Sequence, residues 1–160
     1  MLDAIVAVYA DWGIGAKGTQ PVVIKADRRR FRELTEGGAV IVGRKTLSDF
    51  PGGKPLKNRA NIVLTRQTIV IDGAETAGSV EQALKLAAPH PRVLVIGGES
   101  VYKAMMPHIG RIYVTQIAAS PHSDVFFPDL EADPAWHVTE AEDEAEEDGV
   151  RYRFLTYGRI

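Results

Sequence analysis

Arg92-Val93-Leu94-Val95-Ile96-Gly97-Gly98-Glu99-Ser100-Val101-Tyr102 reads as a buried strand running through a glycine pair into a helix. A short apolar run ends in a glycine pair, and a helix follows with Val101, Ala104 and Met105 as its apolar stripe. A glycine pair at the carboxyl end of a strand lets a ligand approach the backbone closely, and open α/β sheets bind ligands at that edge. The spacing is not GxGxxG, so it is no dinucleotide fingerprint. Ala39-Val40-Ile41-Val42-Gly43 repeats the construction, running straight into Arg44-Lys45-Thr46-Leu47. Exposed backbone N–H groups and the helix dipole would hold a phosphate there. An ordinary strand-to-helix turn with exposed cations accounts for the same residues.

Working outward, Ile5-Val6-Ala7-Val8-Tyr9-Ala10 is near-continuously apolar and reads as a central strand buried on both faces. Asp11 to Pro21 holds three glycines and a proline, hence a long loop. Long loops in compact domains are often functional. Ile62-Val63-Leu64 is a further strand, ending in Thr65-Arg66, and Thr68-Ile69-Val70-Ile71 reads as a fourth short one. Ser79-Val80-Glu81-Gln82 has capping-box form and opens a helix that Pro89 stops. Beyond Pro107 come strands without intervening helices: Arg111–Ile117, Trp136–Thr139 and Arg151–Tyr157. The last two read as a hairpin across the acidic Glu140–Gly149 segment, taken as a solvated end. Alternating strands and helices imply parallel pairing in the first two-thirds, and the last third reads as antiparallel.

The chain has 160 residues, an apolar fraction of 45% and a net charge of −2. One domain spanning 1–160 is expected, with no global charge argument for nucleic acid or a membrane surface. With no cysteine, disulfides and thiol nucleophiles are excluded, which suits a reducing, cytoplasmic setting. No apolar run approaches the roughly 20 residues of a membrane span, and Met1-Leu2-Asp3-Ala4-Ile5 lacks signal-peptide form. His90, His108, His122 and His137 show no metal-ligand spacing.

Gln20 to Leu34 carries the sharpest chemical signal. From Lys25 it reads as a helix on which Ile24, Asp27, Phe31 and Leu34 share one face, at steps of three, four and three. Three of these are apolar, so the face points inward and takes a carboxylate with it. Burying a carboxylate is costly unless something partners it. Arg28, Arg29, Arg30 and Arg32 form a basic collar on the same helix. Two readings stand at this level. In one, Asp27 caps the helix or forms a salt bridge and the arginines are solvated. In the other, Asp27 meets a ligand that needs an anion.

Asp27 within Pro21…Asp27…Phe31…Thr35, together with Gly43-Arg44-Lys45-Thr46 and Ile96-Gly97-Gly98-Glu99-Ser100-Val101-Tyr102, resembles the dihydrofolate reductase family. Ile5-Val6-Ala7, Gly13-Ile14-Gly15, Asn58-Arg59-Ala60-Asn61, Ile112-Tyr113-Val114-Thr115 and Asp124-Val125-Phe126-Phe127-Pro128 match in order along nearly the whole chain. The resemblance implies a dihydrofolate-reductase-like α/β fold: a central, mostly parallel eight-stranded sheet with an antiparallel C-terminal hairpin, flanked by four helices. It implies a monomer reducing 7,8-dihydrofolate with NADPH and open to antifolate inhibitors, with no nucleic-acid or membrane partner.

It also implies the site. Asp27 and Thr115 would hold the pterin N3 and 2-amino edge, a pair of donors that a carboxylate accepts in a charge-assisted fork. Burial would raise the carboxyl's pKa and a protonated pterin would lower it. Ile5, Val6, Arg28, Phe31, Arg32, Arg59 and Ile96 would complete the substrate pocket, with Arg59 on the tail carboxylate and Arg32 assisting. Arg44, Thr65 and Arg66 would lie near the NADPH 2′-phosphate, with Lys45 and Thr46 at the pyrophosphate. Ala7, Ile14, Gly15, Gly43, Leu64, Ile96, Gly97, Gly98, Glu99, Ser100, Val101 and Tyr102 would line the rest of the cofactor site. Gly97-Gly98 matches a cis bond in the family, and Gly13 to Pro21 a lid supported near Asp124.

Three departures stand out. Val22 occupies the place of a tryptophan that anchors a water near the pterin, so Val22 bears on proton delivery. Lys25 replaces a proline, and Arg28 an apolar pocket residue, which implies either a contact to the glutamate tail or a more polar pocket. A reductase of the same fold acting on another pterin or pyrimidine substrate, and a non-catalytic folate- or nucleotide-binding module, are the alternatives. Asp27 with Phe31 and Arg59 favours folate over the first. Thr115 and both glycine junctions argue against the second.

Overall fold

The computed structural model describes residues 2–16 and 20–160. Its strands are β1 (Leu2–Val8), β2 (Gly13–Gly15), β3 (Ala39–Gly43), β4 (Ala60–Leu64), β5 (Glu75–Ala77), β6 (Val93–Gly97), β7 (Ile109–Ile117), β8 (Val125–Phe126), β9 (Trp136–Ala141), β10 (Ala145–Glu147) and β11 (Val150–Arg159). Its α-helices are α1 (Lys25–Thr35), α2 (Arg44–Ser48), α3 (Val80–Ala87) and α4 (Glu99–Met105). The main sheet runs β10-β11-β7-β1-β6-β3-β4-β5, and β9 also pairs with β11.

The five pairings from β7 through β1, β6, β3 and β4 to β5 are all parallel. Buried on both faces, β3 and β6 have no exposed position at all, which is why they read as unbroken apolar runs. Such strands need crossovers, and α1, α2, α3 and α4 with their loops supply them. The carboxyl ends of β1, β3, β4 and β6 therefore share one edge of the sheet, where Gly43 stands opposite Leu64 and Val42 opposite Gly97.

One expectation is corrected and two are refined. Thr68–Ile71 is not a strand: Val70 is 99% exposed, and the fourth parallel strand is Glu75–Ala77 instead. A three-residue edge strand carries almost no periodic signal, whereas a β-branched run carries one even when nothing lies beside it. Arg111–Ile117 is only half in an antiparallel part: β7 lies parallel to β1 along Leu2–Val8 on one side and antiparallel to β11 on the other. The helix α4 carries the chain across the sheet before it, and antiparallel pairing begins only with β11 on β7. Finally, the acidic segment is the exposed end of the expected hairpin, and it also carries a short strand. It folds as β10 on Val150–Tyr152, while β9 pairs with Leu155–Arg159 of the same strand. No helix among the described residues is long and apolar enough to cross a membrane.

Candidate active site

Helix α1 lies along the sheet with its Asp27-bearing face only half buried: Asp27, Phe31 and Leu34 are all partly exposed, and Thr35 alone is fully buried. The expected inward face is thus the wall of a cleft. Ile24, the fourth member of that face, is buried as the N-cap residue. Ile24 offers no side-chain cap. The first amides of α1 are met instead by the Glu147 carboxylate, which accepts from Lys25 N at 2.6 Å and from Ala26 N at 3.1 Å. An anion at a helix N-terminus satisfies orphan N–H groups and the dipole together. A proline at position 25 could not donate the first of these bonds. This gives the Lys25 departure a structural counterpart.

Asp27 neither caps the helix nor, among the described residues, joins an ion pair. Its Oδ1 accepts from the Thr115 hydroxyl at 2.6 Å, in the range of a bond to an ionised acceptor. Burial pushes the Asp27 carboxyl above the usual carboxylate range, and the Thr115 hydroxyl, then Arg30 and Arg28, pull it back. Thr115 is buried on β7, opposite Ala7 of β1 and Phe154 of β11, so three strands fix its position. A carboxylate with one committed oxygen, facing a cleft, is an acceptor prepared for paired donors.

Below Asp27 the cleft is apolar. Ile5, Val40, Val42, Leu47, Leu94 and Ile96 form one buried cluster against which Phe31, Leu34 and Tyr113 pack. Val6 is buried within the main core on the neighbouring face of β1 rather than in this cluster. Val22 is held at the mouth by Tyr9, whose hydroxyl donates to Val22 O at 2.8 Å and accepts from Val22 N at 3.1 Å.

At the far end of α1, Arg59 Nε donates to Thr35 Oγ1 at 3.0 Å and Nη1 donates to Lys57 O at 2.8 Å. The buried Asn61 side chain ties Leu56 and Arg59 together, accepting from Leu56 N and donating to both carbonyls. Burial lowers the Arg59 pKa, Glu36 raises it, and Arg32 lowers it again, so two cations crowd this end. Asp27 and Thr35 are eight residues apart, about 12 Å along a helix axis. The cleft thus offers an anion at one end, an apolar floor, and a cationic pair at the other.

The cofactor set gathers on the carboxyl edge of the parallel strands, but not all of it is free to meet a ligand. Gly43 and Gly97-Gly98 abut: a Cβ on Gly43 would lie 3.0 Å from Val101 Cγ2, and one on Gly98 would lie 3.0 Å from Thr46 Oγ1. Gly97-Gly98 is cis. Arg44, Lys45, Arg66 and Ser100 are exposed, while Thr46, Leu64 and Thr65 are half buried. Glu99 is turned to another task, its carboxylate accepting from Phe126 N at 2.7 Å. Tyr102 is buried beneath Gly97, donates to Ile5 O at 2.6 Å and packs edge-on to Phe127. It touches β1 and the core, although the resemblance implies that it lines the cofactor site.

Ile14 and Gly15 belong to β2, which pairs with β8 through Gly13 opposite Phe126 and Gly15 opposite Val125. The segment after Asp124 therefore does brace the base of the loop, and Asp124 N donates to Gly15 O at 3.0 Å. The tip of that loop, Lys17–Thr19, lies outside the described residues. Trp12 packs between Phe127 and Tyr157 in the core. Sequence reasoning missed Tyr9, Arg30 and Glu147. Only Arg30, three residues beyond Asp27 on the same helix, carried a spacing signal.

Comparison with known proteins matches the chain over nearly its whole length. A family model described as dihydrofolate reductase matches residues 1–159. Among curated relatives, the dihydrofolate reductase of Neisseria meningitidis serogroup B is 37% identical over 159 residues, covering 99% of this chain and 98% of its own. That of Mycobacterium leprae is 36% identical over 151 residues, covering 91% and 90%. A solved dihydrofolate reductase from Enterococcus faecalis, complexed with NADP(H) and RAB-propyl, superposes with a TM-score of 0.89 at 31% identity over 99% of this chain and 96% of that one. With a family model matched over residues 1–159 and relatives similar along nearly their whole length, the chain belongs to the dihydrofolate reductase family.

Proposed function

We infer that this chain performs the reaction of its family, the NADPH-dependent reduction of 7,8-dihydrofolate to 5,6,7,8-tetrahydrofolate, and that Asp27 and Thr115 orient the pterin for it. The observation that carries this reading is the Thr115-held, half-buried Asp27 carboxylate at the head of a cleft whose other end is Arg59. Asp27 accepts from the N3 and 2-amino edge, which fixes the ring and stabilises the protonated pterin. Ile5, Phe31 and Ile96 supply apolar walls that exclude water, with Val6 behind them on β1. Arg59 and Arg32 take the tail carboxylate, and Arg28, exposed at the rim, contributes a further cation there. Bound NADPH supplies the hydride, from nicotinamide C4 to pterin C6, and the cofactor carries that chemistry.

The residues present suit this cofactor. Gly43 and Gly97-Gly98 let the two strand ends abut Val101 and Thr46, beside Ala7, Ile14, Gly15, Leu64 and Ser100, while Lys45 and Thr46 offer a cation and a hydroxyl to the pyrophosphate. Arg44, Thr65 and Arg66 favour the 2′-phosphate and hence NADPH over NADH. Within this set Glu99 and Tyr102 act indirectly, through Phe126 N and Ile5 O. The N5 proton arrives by way of water near Val22. The reading takes residues 1–160 as one domain, acting as a cytoplasmic monomer and open to antifolates in the same cleft.

The test is loss of nicotinamide absorbance with NADPH and dihydrofolate, for native and Asp27→Asn protein. Native protein oxidises NADPH only when dihydrofolate is present, and Asp27→Asn loses most of that rate at neutral pH. No oxidation by native protein refutes the function, and an unchanged rate in Asp27→Asn refutes the role of Asp27.

A further inference from the structure

We propose that Arg30 is a positioning residue for the reduction: its guanidinium, fixed against the Tyr113 and Phe154 rings, keeps the Asp27 carboxyl in the anionic form that accepts from the pterin edge. The inference rests on the reading of Asp27 given above and adds the group that makes it workable. A carboxylate set into an apolar wall is driven toward its neutral form. A neutral carboxyl would lose half of the donor–acceptor match to the substrate.

Arg30 differs from the other cations of its helix. Arg28, Arg29 and Arg32 are exposed, whereas Arg30 is half buried. Its guanidinium carbon lies 4.4 Å from the centre of the Phe154 ring and 5.5 Å from that of Tyr113. Such stacking holds a planar cation in one place. Nη1 lies 3.5 Å from Val114 O, and the next residue on the strand, Thr115, donates its hydroxyl to Asp27. One turn of α1 thus sets both charges against adjacent residues of β7.

Among the described residues Arg30 joins no ion pair within 4.0 Å, so no acid at contact distance cancels its charge. Besides Asp27, the acids that act on it are Glu142 and, more weakly, Glu140, both exposed, where solvent and salt screen them. Tyr113 on β7 also faces it, and Arg111, stacked 5.2 Å from the Tyr113 ring, is occupied by Asp3. The other titratable groups facing Asp27 are the Tyr9 hydroxyl, committed to Val22 O, the Tyr102 hydroxyl, committed to Ile5 O, and Arg28 at the rim. Arg30 is the partly buried cation in this company, and it acts in the direction that offsets burial of Asp27.

The test is direct titration of Asp27 in ligand-free protein labelled with carbon-13 at the aspartate carboxyls, for native, Arg30→Met and Arg30→Lys. The methionine variant keeps the apolar stem on the rings and removes the charge. Its Asp27 midpoint is expected to rise by about one pH unit, the effect of a unit charge about 6–12 Å away at an effective dielectric constant of about 40–20. Arg30→Lys restores at least half of the shift. In steady state the KM for dihydrofolate begins to climb at a correspondingly higher pH as the medium is acidified, while the KM for NADPH is unchanged. Should the methionine variant not fold, Arg30→Gln serves the same comparison. An Asp27 midpoint within about 0.2 units of native in the folded neutral variant overturns the proposal, whatever happens to turnover. Full activity in Asp27→Asn would instead overturn the role of Asp27 and leave the titration standing.

Discussion

Thr115→Val is the most discriminating substitution in the cleft. The two side chains have nearly the same shape, both are β-branched, and both suit a strand. Position 115 is 1% exposed between β1 and β11, so valine repacks the same space. What disappears is the 2.6 Å donor to Asp27 Oδ1. A hydrogen bond to a charged group contributes about 1.5–3 kcal/mol when it is buried. Asp27 faces a cleft where water can partly replace the hydroxyl, which places the loss near the lower end, about 1.5–2 kcal/mol. At 1.4 kcal/mol per decade this is a roughly 10- to 30-fold rise in the KM for dihydrofolate, with the KM for NADPH unmoved. The assay is steady-state NADPH oxidation against each substrate across pH 5–8. The hydroxyl also counters the effect of burial on Asp27, so the acid limb of the profile shifts to higher pH in the variant. A KM for dihydrofolate within twofold of native, with an unmoved acid limb, would refute the reasoning. It would mean that the Thr115–Asp27 bond organises the empty cleft but not the complex.

Further outcomes follow from the same contacts. Burial raises the Asp27 pKa, so the folded state holds a proton that the unfolded state has released. Stability of the ligand-free protein therefore falls as pH rises from the ordinary carboxylate range through the raised value. Urea melts at pH 4–8 should show that slope diminished in Asp27→Asn, and an identical slope would contradict the assignment. Glu147→Ala removes the acceptor for Lys25 N and Ala26 N, and should cost roughly 0.5–2 kcal/mol by analogy with lost helix caps. Glu147→Gln, which still accepts, should cost less, and equal losses in the two variants would argue against capping. Arg28→Leu restores an apolar rim and should strengthen binding of lipophilic antifolates severalfold while raising the KM for dihydrofolate, both measurable by titration of inhibition. Unchanged affinity would remove Arg28 from the pocket.

The two glycine junctions, the buried strands between them and the helix of Asp27 were legible because each rests on local pattern. Apolar runs of strand length ending in glycine can hardly be read otherwise, and an acid on an apolar face stands out against its neighbours. The motif order carried the family and, with it, the cleft. Tertiary structure alone decided the rest. Nothing in Glu75-Thr76-Ala77 marks a strand, because an edge strand is defined by the free hydrogen-bonding edge of β4 beside it. Nothing local makes Glu147 the cap of α1 across 122 residues of chain, or places Glu99 on Phe126 N. Spacing put Arg30 on the side of Asp27, but nothing in the sequence said that it, rather than Arg28, Arg29 or Arg32, would be held there. Four cations in one turn and a half have the same composition wherever they point, and only the packing of α1 on Tyr113 and Phe154 selects the one that is held. Residue type and periodicity determine which groups are available. Long-range packing determines which of them share a desolvated volume, and charge acts most strongly there.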